Sequence, residues 1–474
     1  MTGFAVRFLG CKVSQADAML ARRALLAAGH TEVAEDEAEL HVINTCCITG
    51  EAEAKSRQSV RRSLRRADRV HVAGCAVNLA PERFAAIDPR VRVFVGTADE
   101  VAGAIGEAEG RPTDGGPPAL ADADTLRALA DADTPPALAC ADTAHDVLAR
   151  ERLRARGAMP VGAPPGAGAR VASRTRGFVK VQDGCDAGCA YCIIPTVRGP
   201  ARSRPASAIL REVAQRVADG QPEMVMTGIS VGDYRDPERG LELGELMTEV
   251  ARVPGVERVR LSSVEVIHVK DSLLRALCEE PKVCPHLHVP LQSGDDAVLA
   301  AMGRHYTAEE YLEHIARVRV ATARRTGGRG DLHVTADVIV GFPTEDEAAF
   351  ARTLEVVERA ELGRVHVFPY SPRPGTAAAE LGDRVPPEVK KERGRRLRAR
   401  SEVRSRLRRS AKLGSELEVL IDKVAADRCS GYSADYTRCY LDEAIARAGE
   451  LVTVRARELH ADGIRCEPVR ASRL

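Results

Sequence analysis

The chain has 474 residues, 44% of them hydrophobic and 29% charged, and this composition excludes a fibrous or largely disordered protein. Its 69 Lys and Arg residues nearly balance 68 Asp and Glu residues, so the net charge of +1 excludes a uniformly basic protein but allows local basic patches. Because the sequence has no leader pattern and no run of about 18 apolar residues, its 13 cysteines predict metal or redox chemistry in the cytoplasm, away from any membrane.

The first hundred residues alternate short apolar runs with helical patterns. Strands are expected at residues 4–9, 40–44, 69–73 and 91–95, and helices at 14–28 and 51–68. Ser14 is expected to cap the first helix. Strands that alternate with helices predict a parallel sheet covered by helices, so residues 1–107 are expected to form an N-terminal α/β domain.

The next segment, residues 108–170, is rich in Ala, Pro, Gly and Asp. It contains a nine-residue repeat, PPALADADT, LRALADADT and PPALACADT, over residues 117–143. Nine residues are too few for a helical repeat unit, so the segment is predicted to be a flexible linker.

The alternation resumes over residues 171–413 and indicates a partial or full (β/α) barrel. The predicted strands are 178–182, 223–227, 258–262, 286–291, 335–340 and 364–368, and the predicted helices include 205–219, 241–251, 308–324 and 345–360.

The C-terminal part begins with a basic helix and ends in short alternating runs. Residues 390–409 carry eleven Lys or Arg and two Glu. After Gly414, apolar alternation at 417–421, 436–441, 451–456 and 464–467 predicts a small antiparallel β-barrel over residues 414–474.

The strongest local motif is GCDAGCAYC, in which Cys185, Cys189 and Cys192 follow a CxxxCxxC spacing. Three thiolates on one loop can hold three irons of a cubane cluster and leave the fourth iron open to a substrate. A zinc site would need four ligands, and unligated thiols are the remaining alternative. The loop follows the first predicted barrel strand, at the carboxyl end where such barrels build active sites.

Three further cysteines, Cys11, Cys46 and Cys75, each follow a predicted N-terminal strand. The carboxyl ends of parallel strands meet at one edge of a sheet, so the three thiols are expected to converge on a second cubane site. Ordinary buried cysteines are the alternative. Spacing alone does not separate Cys46 from its neighbour Cys47.

These motifs resemble those of known proteins. The CxxxCxxC loop resembles the radical S-adenosylmethionine (SAM) superfamily. Together with LGCKVSQ, NTCCITGEAEAKSRQ and QDGCDAGCAYCIIPTVRGPARSR, the two triads resemble the radical methylthiotransferases, above all their threonylcarbamoyladenosine tRNA branch. The resemblance implies an α/β fold in three parts: an N-terminal parallel-sheet domain, a radical-SAM partial (β/α) barrel and a C-terminal TRAM β-barrel that binds RNA.

The resemblance also implies the chemistry. Cys185, Cys189 and Cys192 would hold a catalytic [4Fe–4S] cluster that cleaves SAM to methionine and a 5′-deoxyadenosyl radical. Cys11, Cys75 and Cys46, which matches the family position better than Cys47, would hold a second [4Fe–4S] cluster. The product would be a methylthio group on C2 of N6-threonylcarbamoyladenosine 37 in the tRNA anticodon loop, with flavodoxin or ferredoxin as electron donor.

Several residues near predicted strand ends are candidates for binding SAM, with turn formation or packing as the alternative. They are Gly228, Gly232, Ser263, Glu265 and Gln292, with Ser262, Ser293 and Gly341 as further pocket candidates. Glycine lets a backbone approach a ligand closely, and Glu265 can accept hydrogen bonds from a ribose hydroxyl or an amino group.

Basic residues indicate where RNA could bind. Arg198, Arg202 and Arg204 follow the cluster loop and could meet a carboxylate, an RNA phosphate or solvent. Residues 55–69 carry seven basic residues and one acid, and this segment and residues 390–409 are each expected to contact RNA or to form ordinary exposed helix faces.

Other functions remain open from the sequence. The substrate could instead be isopentenyladenosine 37 or an aspartate of a ribosomal protein. A noncatalytic iron–sulfur protein that binds RNA and senses redox state is the alternative from another class, and the open iron of the CxxxCxxC loop disfavours it.

Overall fold

The structure is a computed structural model that describes residues 2–109, 175–323, 332–425 and 428–469. The nine-residue repeat at 117–143, and nearly all of the predicted linker, lie outside these ranges. Within them, no helix is both long and apolar enough to cross a membrane. The chain divides into two compact units.

The first unit combines residues 2–109 with two loop segments, Gly184–Asp186 and Cys192–Arg202. Its sheet is entirely parallel, in the order β2-β1-β3-β4-β5. The strands are β1 (Gly3–Phe8), β2 (Thr31–Glu32), β3 (Leu40–Thr45), β4 (Arg69–Gly74) and β5 (Val91–Val93). The helices are α1 (Lys12–Ala27), α2 (Gly50–Ser63), α3 (Cys75–Leu79), α4 (Glu82–Ala85), α5 (Ala98–Glu109) and α6 (Ile194–Arg198).

The start of α1 differs from the prediction. The helix begins at Lys12 with Cys11 at its N-cap, so the prediction that Ser14 caps it is wrong. Gly10, with φ of +112°, turns the chain directly out of β1 into the helix. Ser14 is instead buried within α1, where its carbonyl accepts a hydrogen bond from Asn44.

The second unit contains six parallel strands with helices between them. They form two three-stranded sheets, β10-β9-β6 and β11-β12-β13, and a parallel bridge between Val259 and Val283 precedes β11. The strands are β6 (Arg176–Lys180), β9 (Glu223–Thr227), β10 (Arg258–Leu261), β11 (His286–His288), β12 (His333–Val340) and β13 (Arg364–Pro369), and β7 (Gln182–Asp183) and β8 (Arg202–Ser203) flank the cluster loop. The helices are α7 (Ala206–Ala218), α8 (Leu243–Ala251), α9 (Asp271–Glu279), α10 (Asp296–Ala301), α11 (Ala308–Thr322), α12 (Glu347–Arg359), α13 (Ala377–Glu380) and α14 (Pro387–Ser410). The predicted partial (β/α) barrel is confirmed.

Alternation along β12 separates the two faces of the barrel wall. Val334, Ala336 and Val338 belong to the main hydrophobic core. Successive strand side chains point to opposite faces, so Thr335 and Asp337 lie on the face turned away from that core. Polar side chains therefore line part of the inner face of the barrel.

The C-terminal barrel is closed, in the order β14-β15-β16-β18-β17. Its strands are β14 (Glu416–Val424), β15 (Cys429–Ser433), β16 (Arg438–Leu441), β17 (Leu451–His460) and β18 (Gly463–Pro468). All neighbouring strands are antiparallel except β16 and β18, which pair in parallel. The sequence did not predict β15, whose residues CSGYS lack an apolar alternation.

The turn between β15 and β16 packs against the amino-terminal ends of the larger barrel's strands. Arg260 is fully buried and donates hydrogen bonds to the carbonyls of Ser433 and Ala434. Its guanidinium also pairs with buried Glu223 at 2.9 Å. Burial alone would raise the pKa of Glu223, but this pairing holds it below its ordinary value. Since a buried charge needs partners, this network fixes the turn against the barrel.

Candidate metal centres

The three N-terminal cysteines lie at the carboxyl edge of the first sheet. Cys11 follows β1, Cys46 follows β3 and Cys75 follows β4, and these strands are neighbours in the sheet. The strand order therefore brings together the three chain segments that the sequence singled out.

The thiols are close enough to influence one another. Burial raises the pKa of Cys75 to about 12, Arg198 opposes that shift, and Cys11 and Cys46 add to it. A Cβ atom at Gly10 would lie 3.0 Å from Sγ of Cys46, so the glycine leaves room for this thiol beside the Cys11 turn. The choice of Cys46 over Cys47 as the ligand stays a prediction.

Arg198 joins the loop that follows the CxxxCxxC motif to the N-terminal cysteines. Its Nε donates to Sγ of Cys75 at 3.1 Å, and its Nη2 donates to Oδ2 of Asp17 at 2.8 Å. Both side chains of the ion pair are buried. Arg198 thus meets a carboxylate, one of the three partners that the sequence left open.

The two neighbouring arginines are also engaged. Arg202 donates to the carbonyls of Pro200 and Arg198, and Arg204 forms an ion pair with Glu212 at 2.7 Å. Both arginines therefore stabilise the structure around the cluster loop.

The donor set suits a cluster better than a single ion. In the parts of the chain that the structure describes, no three His, Cys, Asp or Glu side chains converge closely enough to ligate one metal ion. A cubane differs because each thiolate binds its own iron, so its ligands need not meet at one point. Three thiols on adjacent strand ends are compatible with that requirement.

The CxxxCxxC loop is partly exposed at all three cysteines, Cys185, Cys189 and Cys192. Within the first unit, Cys185 N donates to the carbonyl of Gly199 at 3.1 Å. Gly184 has φ of +71°, and a Cβ there would lie 1.9 Å from the carbonyl oxygen of Pro200, so only glycine fits this turn.

The middle of the same loop is held within the second unit. Ala190 N donates to the carbonyl of Met302 at 2.9 Å, and Ala378 N donates to the carbonyl of Ala190 at 2.8 Å. Tyr191 packs against the hydrophobic cluster that includes Met302 and Phe342. Backbone hydrogen bonds and an aromatic contact thus fix the segment that carries Cys189.

Arg304 contacts this segment and was not singled out from the sequence. Its Nη1 donates to Sγ of Cys189 at 3.3 Å, and its two Nη atoms bind Glu265 bidentately at 2.8 and 2.7 Å. The guanidinium also lies 5.1 Å from the ring centroid of Tyr306. Arg304 is 115 residues from Cys189, and no local pattern marks it as a neighbour of the loop.

The end of β10 presents polar groups. Glu265 is partly exposed beyond its contact with Arg304, and Ser263 is half-buried. Oγ of Ser262 is buried and has no hydrogen-bond partner among the described residues. An orphaned buried hydroxyl and a partly exposed carboxylate after the same strand fit a polar ligand at this strand end.

Packing accounts, at least in part, for the residue types at the other predicted pocket positions. A Cβ at Gly228 would lie 2.7 Å from the carbonyl oxygen of Gln182, and one at Gly232 would lie 2.3 Å from Cβ of His268. Gln292 adopts φ of +63° and its N donates to the carbonyl of Asp337. Contact of these three residues with a ligand stays a prediction.

Two further pocket candidates, Ser293 and Gly341, lie against other side chains of the protein. Ser293 is fully buried and its Oγ lies within hydrogen-bond distance of Thr353 on α12, and its expected place in the pocket lining stays a prediction. Gly341 has φ of +73°, and a Cβ there would meet the side chain of Lys390.

Four side chains on β11, β12 and β13 form a polar wall: His288, Thr335, Asp337 and His366. Nε2 of His288 lies 3.1 Å from Oδ1 of Asp337, and its Nδ1 lies 2.9 Å from Oγ1 of Thr335. The ring of His366 lies 5.6 Å from that of His288. His286, by contrast, is buried.

Two family models match this chain, one in each unit. A model of the radical SAM superfamily matches residues 179–357, and a model described as uncharacterized protein family UPF0004 matches residues 3–96.

Curated relatives match nearly the whole chain. The threonylcarbamoyladenosine tRNA methylthiotransferases MtaB of Thermotoga maritima and Bacillus subtilis are each 31% identical, covering 97% and 96% of this chain and 95% and 94% of their own lengths. A tRNA-2-methylthio-N(6)-dimethylallyladenosine synthase of Cereibacter sphaeroides is 34% identical over 95% of this chain and 94% of its own.

A solved structure shares the fold. The radical SAM methyltransferase TsrM from Kitasatospora setae aligns with a TM-score of 0.52 and 13% identity, covering 78% of this chain and 72% of that one. At that identity the likeness concerns the fold alone.

Proposed function

The chain belongs to the radical SAM tRNA methylthiotransferase family, and on that premise we propose that it adds a methylthio group to C2 of N6-threonylcarbamoyladenosine 37 in tRNA. The observation that carries this choice of substrate is the polar wall. The threonylcarbamoyl substituent has a carboxylate and a hydroxyl, which need hydrogen-bond partners when water is removed. His366 is exposed and can donate to that carboxylate, and the partly exposed His288 can do so by exchanging its contact with Asp337 for the ligand, whereas a dimethylallyl group offers nothing for them to bind.

We propose that Cys185, Cys189 and Cys192 hold one [4Fe–4S] cluster and that Cys11, Cys46 and Cys75 hold another. When bound, the first supplies the electron that cleaves SAM to methionine and a 5′-deoxyadenosyl radical. The chain itself holds the thiolates, orients SAM and excludes water.

The polar groups at the end of β10 orient SAM. The free hydroxyl of Ser262 and the exposed part of the Glu265 carboxylate bind its ribose or amino group. Arg304 fixes Glu265 through two hydrogen bonds and contacts Cys189 with the same guanidinium. Arg304 is therefore a positioning residue that ties the ligand site to the cluster loop.

The proposed partners follow from this chemistry. The tRNA presents adenosine 37 in the anticodon loop, where an unstacked base can enter a barrel. Reduction requires an external electron donor, and a flavodoxin or a ferredoxin supplies it.

Nucleoside mass spectrometry on tRNA from cells with and without the gene tests the function. Loss of 2-methylthio-N6-threonylcarbamoyladenosine, with the parent nucleoside accumulating, is the expected result. Unchanged methylthio nucleosides would contradict tRNA methylthiolation by this chain.

The second candidate substrate is N6-dimethylallyladenosine 37. Relatives that carry this name reach 34% identity, slightly above the 31% of the threonylcarbamoyladenosine enzymes. Reconstituted protein incubated with two anticodon stem-loops, one bearing each modification, decides between them. Product on the dimethylallyl stem-loop alone would overturn the proposed substrate and leave the reaction class intact.

A further inference from the structure

The two basic segments of the chain differ in how their charges are used. Of the eleven Lys and Arg residues on α14, eight lie within ion-pair distance of a carboxylate. Arg396 pairs with Glu347, and Arg400 with Glu358, both on α12. The charge of α14 is therefore largely neutralised by carboxylates of α12, of α14 itself and of neighbouring segments.

The end of α2 is different. Arg61, Arg62, Arg65 and Arg66, here called the arginine ridge, are all exposed. None of them forms an ion pair or a side-chain hydrogen bond with any residue in the described ranges. Four positive charges within six residues are thus left to solvent.

The ridge is electrostatically unfavourable by itself. α2 ends at Ser63, and the turn that follows continues its winding, since Arg66 N donates to the carbonyl of Ser63 at 2.9 Å. Arg61 and Arg65, like Arg62 and Arg66, are therefore like charges four residues apart, a spacing that destabilises a helix. The helix dipole favours positive charge in its last turn, which explains Arg61 and Arg62 but not the two beyond the helix.

The surroundings of the ridge indicate the class of its partner. Among the described residues of this part of the chain, the exposed large hydrophobic side chains are Ile48 and Val95, and none lies on α2 or the turn that follows it. Protein interfaces need an apolar core, whereas phosphate binding needs only charge and the planar donors of arginine. The neighbouring Arg90, which donates to the carbonyl of Leu64, is paired with Asp88 and is therefore not part of the ridge.

We propose that the arginine ridge binds phosphates of the tRNA backbone. The identity of the RNA rests on the proposed function, but the phosphate chemistry does not. The ridge then gives the N-terminal unit its own contact with RNA, in addition to any made by the C-terminal barrel.

The test compares two quadruple variants of the reconstituted full-length protein. One carries Arg61→Gln, Arg62→Gln, Arg65→Gln and Arg66→Gln. The matched control carries Arg395→Gln, Arg396→Gln, Arg400→Gln and Arg404→Gln, which removes the same charge from arginines that already have carboxylate partners. Binding of a labelled tRNA transcript is measured by fluorescence anisotropy over a range of KCl concentrations.

The ridge variant is expected to bind tRNA about tenfold or more weakly, and its salt slope is expected to fall by about one for each phosphate that the ridge no longer neutralises. The control is expected to keep the slope of the unmodified protein. Equally weakened binding in both variants would mean that net charge alone matters, and this would overturn the proposal. If the ridge variant binds tRNA normally but is reduced more slowly by flavodoxin, the ridge binds an acidic protein partner. That result would also overturn the proposal.

Failure of the ridge proposal can be distinguished from failure of the proposed function. SAM cleavage without tRNA is expected to be unchanged in both variants, because neither set contacts the cysteine sites. If the unmodified protein binds tRNA but makes no methylthio nucleoside, the proposed function fails while the slope comparison still decides the role of the ridge.

Discussion

The two cysteine triads have the same number of thiols but are built differently. Cys11, Cys46 and Cys75 come from three strand ends, so only the parallel order of β1, β3 and β4 brings them together. Cys185, Cys189 and Cys192 lie within eight residues of one loop. The difference teaches that the first site depends on the integrity of a sheet, while the second depends mainly on the course of a loop.

Each triad has one arginine that donates to a thiol and to a carboxylate. Arg198 contacts Cys75 and the buried Asp17, and Arg304 contacts Cys189 and the partly exposed Glu265. A carboxylate closed off from solvent serves structure, whereas one that remains open can also meet a ligand. Four substitutions test whether this contrast holds.

Cys189→Ala is expected to have the largest effect and to abolish SAM cleavage, because two thiolates no longer hold the cubane. The measurement is 5′-deoxyadenosine formed by reduced protein under anaerobic conditions. Bound iron is expected to fall from about eight atoms per chain to about four. Cys278→Ala, which removes a thiol outside both triads, is the matched control, and cleavage that survives in Cys189→Ala would refute the assignment.

Cys11→Ala is expected to spare cleavage and to stop sulfur insertion. It also removes about four irons, because the loss is confined to the N-terminal triad. Production of 5′-deoxyadenosine and of methylthio nucleoside is measured in the same reaction. Loss of both products would show that the two triads do not act separately.

Arg198→Gln is expected to reduce the free energy of unfolding by about 3 kcal/mol, since it removes one partner of a buried ion pair with Asp17. Thermal or urea unfolding of the reconstituted protein measures this change. Arg198→Lys keeps the charge but loses the planar donors, so it should recover part of the stability. An unchanged unfolding midpoint for Arg198→Gln would mean that the buried pair contributes nothing.

Arg304→Gln is expected to have the smallest effect, about a tenfold rise in KM for SAM with a smaller change in kcat. Losing a hydrogen bond to a charged group costs about 1.5–3 kcal/mol, and Glu265 would lose its fixed orientation. Steady-state cleavage assays provide both constants. Arg317→Gln, which breaks the exposed pair with Asp271, serves as control, and an equal rise in KM there would remove the case for Arg304.

The sequence predicted most of the framework. Residues 223–227 were predicted as a strand and form β9, and the six barrel strands were all found because each is an apolar run between turn signals. Missed strands such as β2 and β15 are short or lack alternation. The error at Ser14 arose because Cys11 itself occupies the N-cap of α1.

The sequence alone predicted which cysteines belong together, apart from the choice between Cys46 and Cys47, because backbone geometry places the ends of parallel strands at one edge and fixes the reach of a short loop. Only the tertiary structure decided which charges are free. The basic runs at the end of α2 and along α14 are similar in composition, but packing places the glutamates of α12 beside α14 and leaves the arginine ridge without carboxylates. Electrostatic pairing depends on partners that are distant in the chain, so counting charges along a segment does not show what that segment binds.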